Sequence, residues 1–207
     1  MKKKYLIPLL FFIFSIATGQ SFTVEQKAKF NKNETIQLMT GGNSTIKGQA
    51  FAKDNRSGIK GIAILNINKR QYAPKGTSII VMPQTAYFKE WQEVSKKYEK
   101  EGKIVELHKE ARACIKVIQV KDDKGSFEIN NLMPGQYLLI TGFNYIQDKQ
   151  QTYTLGYENT YINNTLQSSR EIEGHHYFKI ISEANIRKTV TIKKEGDVED
   201  VNLRMTL

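Results

Sequence analysis

The sequence is short of cysteine, proline and tryptophan. Its 207 residues include one Cys, four Pro and one Trp. Cys114 has no second thiol to pair with, so the chain has no internal disulfide. Side-chain packing must therefore stabilise the fold. Because Cys114 lies in the apolar run ACIKVIQV, we expect a small buried hydrophobe there rather than a nucleophile or a dimer-forming thiol.

Motifs that carry chemistry are also scarce. There is no G-x-S-x-G to hold a serine nucleophile on a strained turn, and Gly41–Gly42 lacks the Lys and helix of a phosphate-binding loop. Two carboxylate side chains that lie close together only in the folded protein, as in a glycosidase, would leave no sequence signature. A glycosidase therefore stays an open hypothesis. The sequence thus assigns no catalytic, cofactor-binding or metal-binding residue, and no cofactor.

The N-terminus resembles a secretory signal. Lys2, Lys3 and Lys4 precede an apolar run over residues 5–16, and small residues follow at 17–19, so we predict a signal peptide over residues 1–19. The run is shorter than the ~20 residues that a membrane-spanning helix needs. We therefore expect a secreted protein, periplasmic or extracellular, with no stable membrane insertion after cleavage.

The positive charge is spread along the chain. Of the formal +10, three charges belong to the predicted signal, which leaves +7 on the remainder. The Lys and Arg residues stand among Asp and Glu without a long basic run, so we expect solubility and a weak preference for anionic surfaces, with no nucleic-acid partner.

Alternating hydrophobicity predicts a mainly β chain. Residues 20–43 are polar without a sustained period, and we interpret them as a leader or a lone strand before the domain. Residues 44–207 form a single predicted domain. Strand-like runs lie at 44–52, 61–67 and 76–83, and again in three runs after residue 175. Residues 159–174 are expected to form an exposed hairpin or a long loop.

One segment has helical spacing. Tyr87, Trp91, Val94 and Tyr98 fall on one face of a helix predicted over residues 87–100, within a helical insertion over about 87–112. Such a face docks on a sheet more often than it binds a ligand, so we favour core packing. Whether Tyr87 and Trp91 form a site is left open.

The three histidines are weak metal candidates. His175 and His176 are adjacent, and His108 lies far upstream. Imidazole is a common zinc ligand, but neighbouring residues of a strand point to opposite faces and do not readily share one ion.

The stretch DDKGSFEINNLMPGQYLLI, residues 122–140, combines two turns with strand alternation. Phe127 and Ile129 alternate with polar residues, and Pro134-Gly135 suits a tight turn. Asp122 and Asp123 offer too few oxygens for calcium. We predict that this stretch turns strands rather than holding a ligand.

These residues resemble the carboxypeptidase regulatory-like domain, a transthyretin-like (prealbumin-like) β-sandwich with the patterns D-x-x-G-x-F and L-x-P-G-x-Y. Upstream, the matching positions are Gly48, Gly61, Ala63 and Ile64, and a secreted subgroup is matched by Pro83, Thr85, Tyr87 and Trp91. Ile59 and Lys60 depart from the family pattern. The resemblance implies an antiparallel Greek-key sandwich with an inserted helix, and it carries no catalytic residues.

The resemblance favours a secreted, non-catalytic accessory module of the cell envelope that binds a protein, peptide or glycan. The alternative is a cryptic secreted hydrolase, metal-dependent if His108, His175 and His176 matter. A hydrolase of the same fold, which acts on hydroxyisourate, ends in Tyr-Arg-Gly-Ser, whereas this chain ends in LRMTL. The ligand and the oligomeric state are not encoded in any motif we recognise.

Overall fold

A computed structural model describes residues 21–53 and 70–206. The signal peptide predicted over residues 1–19, the strand predicted over 61–67 and most of the turn between 53 and 58 lie outside the described residues. The family positions Gly61, Ala63 and Ile64 lie outside them too. In the described part no helix is both long and apolar enough to cross a membrane.

The chain is mainly β, and most of its strand pairing is antiparallel. In chain order the elements are β1 (Ser21–Thr23), α1 (Lys32–Thr40), β2 (Ser44–Lys53), β3 (Arg70–Tyr72), β4 (Ser78–Pro83), α2 (Ala86–Glu99), β5 (Ile104–Glu106), α3 (Lys109–Ala113), β6 (Lys116–Gln119), β7 (Ser126–Leu132), β8 (Gly135–Ile162), β9 (Thr165–Ile192) and β10 (Val198–Thr206).

Two four-stranded sheets organise these elements. In the first, β2 pairs along one edge with β10 and along the other with β7 and β3. The β2–β10 pairing is parallel, which the expectation of an antiparallel fold did not include. In the second sheet the order is β6-β4-β8-β9, and every pair is antiparallel.

The inward faces of the two sheets share one hydrophobic core. Alternate residues of β2, β7 and β10 meet alternate residues of β4, β8 and β9, as the period of two requires. Large side chains that are almost completely buried in this core include Ile46, Ile79, Ile129, Leu132, Tyr137, Leu139, Ile192 and Leu203. The predicted alternation of Phe127 and Ile129 is confirmed, since both side chains are buried.

The segment predicted as a leader or a lone strand contains the short strand β1 and also the helix α1, which was not predicted. Asn31 caps α1 by accepting a hydrogen bond at its side-chain oxygen from the Glu34 amide, 3.1 Å away. Met39 at the other end of α1 is buried in the core shared by the sheets. A polar helix with one buried apolar residue has no sustained hydrophobic period. For this reason the sequence pattern did not predict α1.

The predicted helix forms α2, and it covers the outward face of the second sheet. Tyr87 and Phe88 are buried against Met82 and Leu138, in a second apolar cluster that Trp91 joins from its edge. This confirms the preference for core packing over a binding platform at Tyr87. The rest of the predicted insertion contains α3 and also β5, a strand that pairs in parallel with β1.

The residues of the family-like stretch 122–140 build turns. The Asp122 carboxylate accepts hydrogen bonds from the amides of Ser126 and Lys124, at 3.0 and 2.9 Å, and these donors hold its pKa below the usual value. Gly125 has φ +69°, and a Cβ there would lie 2.3 Å from the Ala50 carbonyl oxygen. The space beside Gly125 is therefore filled by the backbone of β2.

Tyr137 ties the second turn to α1. Its buried hydroxyl lies 2.6 Å from the Met133 carbonyl oxygen and 2.9 Å from that of Leu38, so its single hydrogen is donated between them. The prediction that residues 122–140 turn strands is therefore confirmed.

Candidate functional site

A cavity opens between the middle of α2 and the second sheet. It has a volume of about 170 Å³. The floor comes from the outward-facing residues of β8 and β9, and the wall comes from α2. Its lining residues are Trp91, Gln92, Ser95, Lys96, Leu138, Ile140, Arg187 and Thr189.

Two polar groups of the wall have no hydrogen-bond partner. Trp91 and Ser95 are one turn apart on α2, and both Trp91 Nε1 and Ser95 Oγ are buried without a partner among the described residues. A buried donor left unpaired costs about 1–3 kcal/mol, so native structures rarely keep one. A ligand oxygen that reaches these atoms would remove that cost.

The rim of the cavity is held by an ion pair. The Arg187 guanidinium donates to both oxygens of Glu99, at 3.1 Å each, which links β9 to the end of α2. Both side chains are largely exposed, so the pair adds little to stability. Its two-pronged geometry instead fixes where the guanidinium stands beside the opening.

A second, wider depression of about 590 Å³ continues along the same face of the sheet. Ile140 lines both. Farther along the strands, the depression is lined by Gly142, Asn144 and Asn185. A Cβ on Gly142 would lie 3.1 Å from Asn185 Oδ1, so the amide closes over the glycine. We call the cavity and the depression together the trough.

Beyond the trough, β8 and β9 leave the body of the protein as a two-stranded ribbon. We call residues 148–162, the turn at 163–164 and residues 165–179 the arm. Fifteen residues per strand at about 3.4 Å each make it roughly 50 Å long. Asn163 and Asn164 turn the chain with φ of 49° and 61°, as a two-residue hairpin requires. The predicted exposed hairpin is confirmed.

Polar contacts close the base of the arm. The side-chain amide of Gln71 on β3 donates to the Ile146 carbonyl at 2.6 Å and accepts from the Ile146 N–H at 2.8 Å, so it pairs with the free edge of β8. Inside, Gln147 is buried and donates to the Tyr145 hydroxyl at 2.7 Å. The arm therefore leaves the body at a fixed point.

The histidines predicted as weak metal candidates are not brought together. On one face of the arm, His175 Nδ1 is hydrogen-bonded to Gln150 Nε2 at 2.8 Å. On the other face, the His176 ring stacks on the Phe178 ring. His108 stands at the N-terminal cap of α3. In the described ranges no three His, Cys, Asp or Glu side chains gather as a metal site would need.

Cys114 is buried and unpaired at the end of α3, as expected of a small hydrophobe. Sequence reasoning singled out Trp91 but missed Ser95, Arg187 and the asparagines of the trough. The spacing of Ser95 four residues after Trp91 was the available signal, although it carries no meaning until the helix is docked on the sheet.

Comparison with known proteins shows a likeness of fold. No family model and no curated protein matches the chain. The chain is similar to the crystal structure of a "putative carbohydrate binding protein" from Pseudomonas aeruginosa, with a TM-score of 0.51 and 14% sequence identity. The match covers 86% of this chain and 99% of the other. At that identity the likeness concerns the fold alone.

Proposed function

We propose that this chain is a secreted, non-catalytic binding module whose trough holds a glycan. The cavity beside α2 takes one sugar ring, and the wider depression takes the units next to it. The proposal includes neither a cofactor nor a metal. Of the three partner classes expected from the sequence, which are protein, peptide and glycan, we propose the glycan.

The observation that carries the proposal is the pair of unpartnered buried atoms, Trp91 Nε1 and Ser95 Oγ. A sugar presents several hydroxyl groups at short spacing, and each one both donates and accepts hydrogen bonds. Its C–H edges pack well on the apolar surface that Trp91, Leu138 and Ile140 supply. Pockets that bind small molecules combine such an apolar lining with a few polar groups.

Two further observations support a glycan over a peptide. The cavity volume of about 170 Å³ is small, and it suits a single sugar ring better than several side chains of a peptide. The neighbour of similar fold is itself described as a "putative carbohydrate binding protein", which agrees with this choice.

The finer account of the fold is also part of this proposal. We propose that the two sheets form a Greek-key sandwich of the carboxypeptidase regulatory-like kind. The shared core of the sheets and the turn-building roles of Asp122, Gly125 and Tyr137 support it. Secretion into the periplasm or beyond rests on the basic and apolar N-terminus.

Trp91 makes the test direct, because it is the only tryptophan in the chain and therefore the only source of indole fluorescence. The purified protein would be screened on a glycan array, and each bound oligosaccharide titrated while Trp91 fluorescence is followed. We expect a saturable change in fluorescence. Replacing Ser95 with Ala should weaken binding about fivefold to twentyfold, because one hydrogen bond is lost.

The matched control is Ser168→Ala, which removes the same hydroxyl from an exposed position on the arm and should leave the affinity unchanged. Equal affinities of the Ser95 and Ser168 variants, or no array glycan that perturbs Trp91, would count against the trough as the site. Release of shortened sugars on prolonged incubation would instead favour the hydrolase alternative.

A further inference from the structure

The charged side chains that line the cavity beside α2 are positive. Among its described lining residues, Lys96 and Arg187 are basic and none is acidic. Lys96 lies in the last turn of α2 and is exposed. None of the ion pairs between described residues involves it. Its ammonium group is therefore available to a negatively charged ligand.

The ion pair with Glu99 leaves part of the Arg187 guanidinium open to a ligand. A guanidinium has five N–H donors in a planar fork. The pair uses one donor on Nη1 and one on Nη2. With Lys96 included, two positive charges and one negative leave a net charge of +1 at the rim of the cavity.

The lining of the cavity also contains more hydrogen-bond donors than acceptors. Trp91 Nε1 donates only, and the same is true of the ammonium group of Lys96 and the guanidinium of Arg187. Among the described lining residues, no side chain is an acceptor only. A carboxylate only accepts, so this lining suits a carboxylate better than a set of neutral hydroxyl groups, which also need acceptors.

The size of the cavity does not oppose an acidic sugar. Its volume is about 170 Å³. A uronic acid carries a carboxylate where the neutral hexose carries a hydroxymethyl group, so the two rings occupy nearly the same space. Charge and hydrogen bonding, rather than size, therefore distinguish the two sugars in this cavity.

The other end of the trough has the opposite charge. Beside the wider depression, Glu183 Oε1 would lie 3.5 Å from a Cβ on Gly142. Glu183 is four residues from Arg187 on β9, about 13 Å along the strand, which exceeds the Debye length of about 8 Å at physiological ionic strength. The carboxylate of Glu183 disfavours a second anionic unit there. The amides of Asn144 and Asn185 in the depression both donate and accept, which suits neutral hydroxyl groups.

We propose that the cavity beside α2 selects an acidic sugar, a uronic acid, and that the wider depression takes neutral units of the same glycan. Lys96 and Arg187 bind the carboxylate, and Trp91 Nε1 donates to an oxygen of the same ring. This inference rests on the proposed function, since it names the class of glycan that the trough takes.

Trp91 fluorescence tests the selectivity with matched pairs of sugars. The probes are the methyl glycosides of glucose, galactose and mannose, each compared with the methyl glycoside of its uronic acid. In at least one pair the acid should bind about tenfold more tightly, as expected for hydrogen bonds to a charged group. Raising the ionic strength to about 1 M, where the Debye length is about 3 Å, should remove most of this difference.

Two lysine variants locate the source of the preference. Lys96→Gln removes the charge and keeps most of the length of the side chain, and it should lower the ratio of acid to neutral affinity about fivefold. Lys97→Gln is the matched control, because Lys97 is adjacent and exposed but does not line the cavity. Its ratio should stay within about twofold of the wild type. Circular dichroism shows whether both variants remain folded.

Four results would overturn the inference. Equal affinities, or tighter binding of the neutral sugar, in all three pairs would remove the acidic sugar and leave the trough as a glycan site. Equal losses in Lys96→Gln and Lys97→Gln would exclude the assigned role of Lys96. Acetate that binds as tightly as the uronic acids would make the cavity a plain anion site. If none of the six glycosides perturbs Trp91, the inference fails, and the glycan array alone then decides the proposed function.

Discussion

The body and the arm are built from the same two strands in different surroundings. Within the body, β8 and β9 have the first sheet on one face and α2 on part of the other, and Leu139 and Tyr137 are completely buried. In the arm the same strands stay paired from residue 148 to the turn, yet Leu155 and Tyr157 are more than 60% exposed.

The difference shows that hydrogen-bonded pairing and core formation are separate events. The ladder between β8 and β9 continues across both regions with two bulges, at Leu155 and near Gln167. What changes is the apolar area removed from water, which supplies most of the stability of a fold. Matched substitutions in the two regions test that separation.

The largest contrast is expected between two leucines. Leu139→Ala in the body should lower the free energy of unfolding by about 2–5 kcal/mol, because it removes buried methyl groups and leaves a cavity. Leu155→Ala in the arm should change it by less than about 0.5 kcal/mol. Urea denaturation followed by circular dichroism measures both, and comparable losses would mean that the arm belongs to the same cooperative core.

The second-largest contrast in stability is expected between alanine substitutions at two glycines. A Cβ on Gly48 would lie 1.8 Å from the Val201 carbonyl oxygen, so Gly48→Ala must push β2 and β10 apart, at a cost of about 1–3 kcal/mol. Nothing lies within 4 Å of a Cβ on Gly156. Gly156→Ala should therefore be neutral or slightly stabilising in the same urea titrations, and a destabilised variant would indicate that something packs on the arm there.

The smallest contrast concerns two tyrosine hydroxyls. Burial raises the pKa of Tyr137 to about 12 from an ordinary 10.0. The unfolded chain ionises first, so the stability that Tyr137 contributes is complete below pH 10 and is lost as the pH rises toward 12. Tyr137→Phe should cost about 1–2 kcal/mol at neutral pH and should remove this part of the alkaline decline.

Tyr157→Phe in the arm provides the control, because it removes an exposed hydroxyl and should leave stability at neutral pH unchanged. Denaturant titrations at neutral pH and above pH 10 compare the two variants with the wild type. An identical alkaline decline in wild type and Tyr137→Phe would contradict the assigned role of the buried hydroxyl.

Local patterns predicted the elements whose determinants lie close together in the chain. The helix expected over residues 87–100 forms at Ala86–Glu99, because its apolar side chains recur at helical spacing. The strand of Phe127 and Ile129 and the turns around it follow from alternation and from the residues at the turns. These signals need no knowledge of the partner element.

Long-range contacts were not predictable in the same way. Met39 enters the core from a polar helix, and β10 pairs in parallel with β2 across the length of the chain. In the trough, Trp91 and Arg187 are brought together only when α2 docks on β9. No spacing in a single sequence reports such a juxtaposition.

The length of the arm was also not predictable from the sequence. The alternation in the runs after residue 175 indicated strands, but it gave no sign that residues 165–192 form one strand of 28 residues paired along its length with β8. Alternation describes which residues share a face of a strand. It does not describe what covers that face.

The sequence by itself determined the elements with a clear local period, such as α2 and the strand of Phe127 and Ile129, and the turns within residues 122–140, since backbone preference and hydrophobic period act over a few residues. Only the tertiary structure decided which apolar faces are buried, that Trp91 and Ser95 line a cavity with their polar atoms unpaired, and that the arm projects beyond its cover. Burial depends on what packs against a surface, and that partner is set by residues far away in the chain.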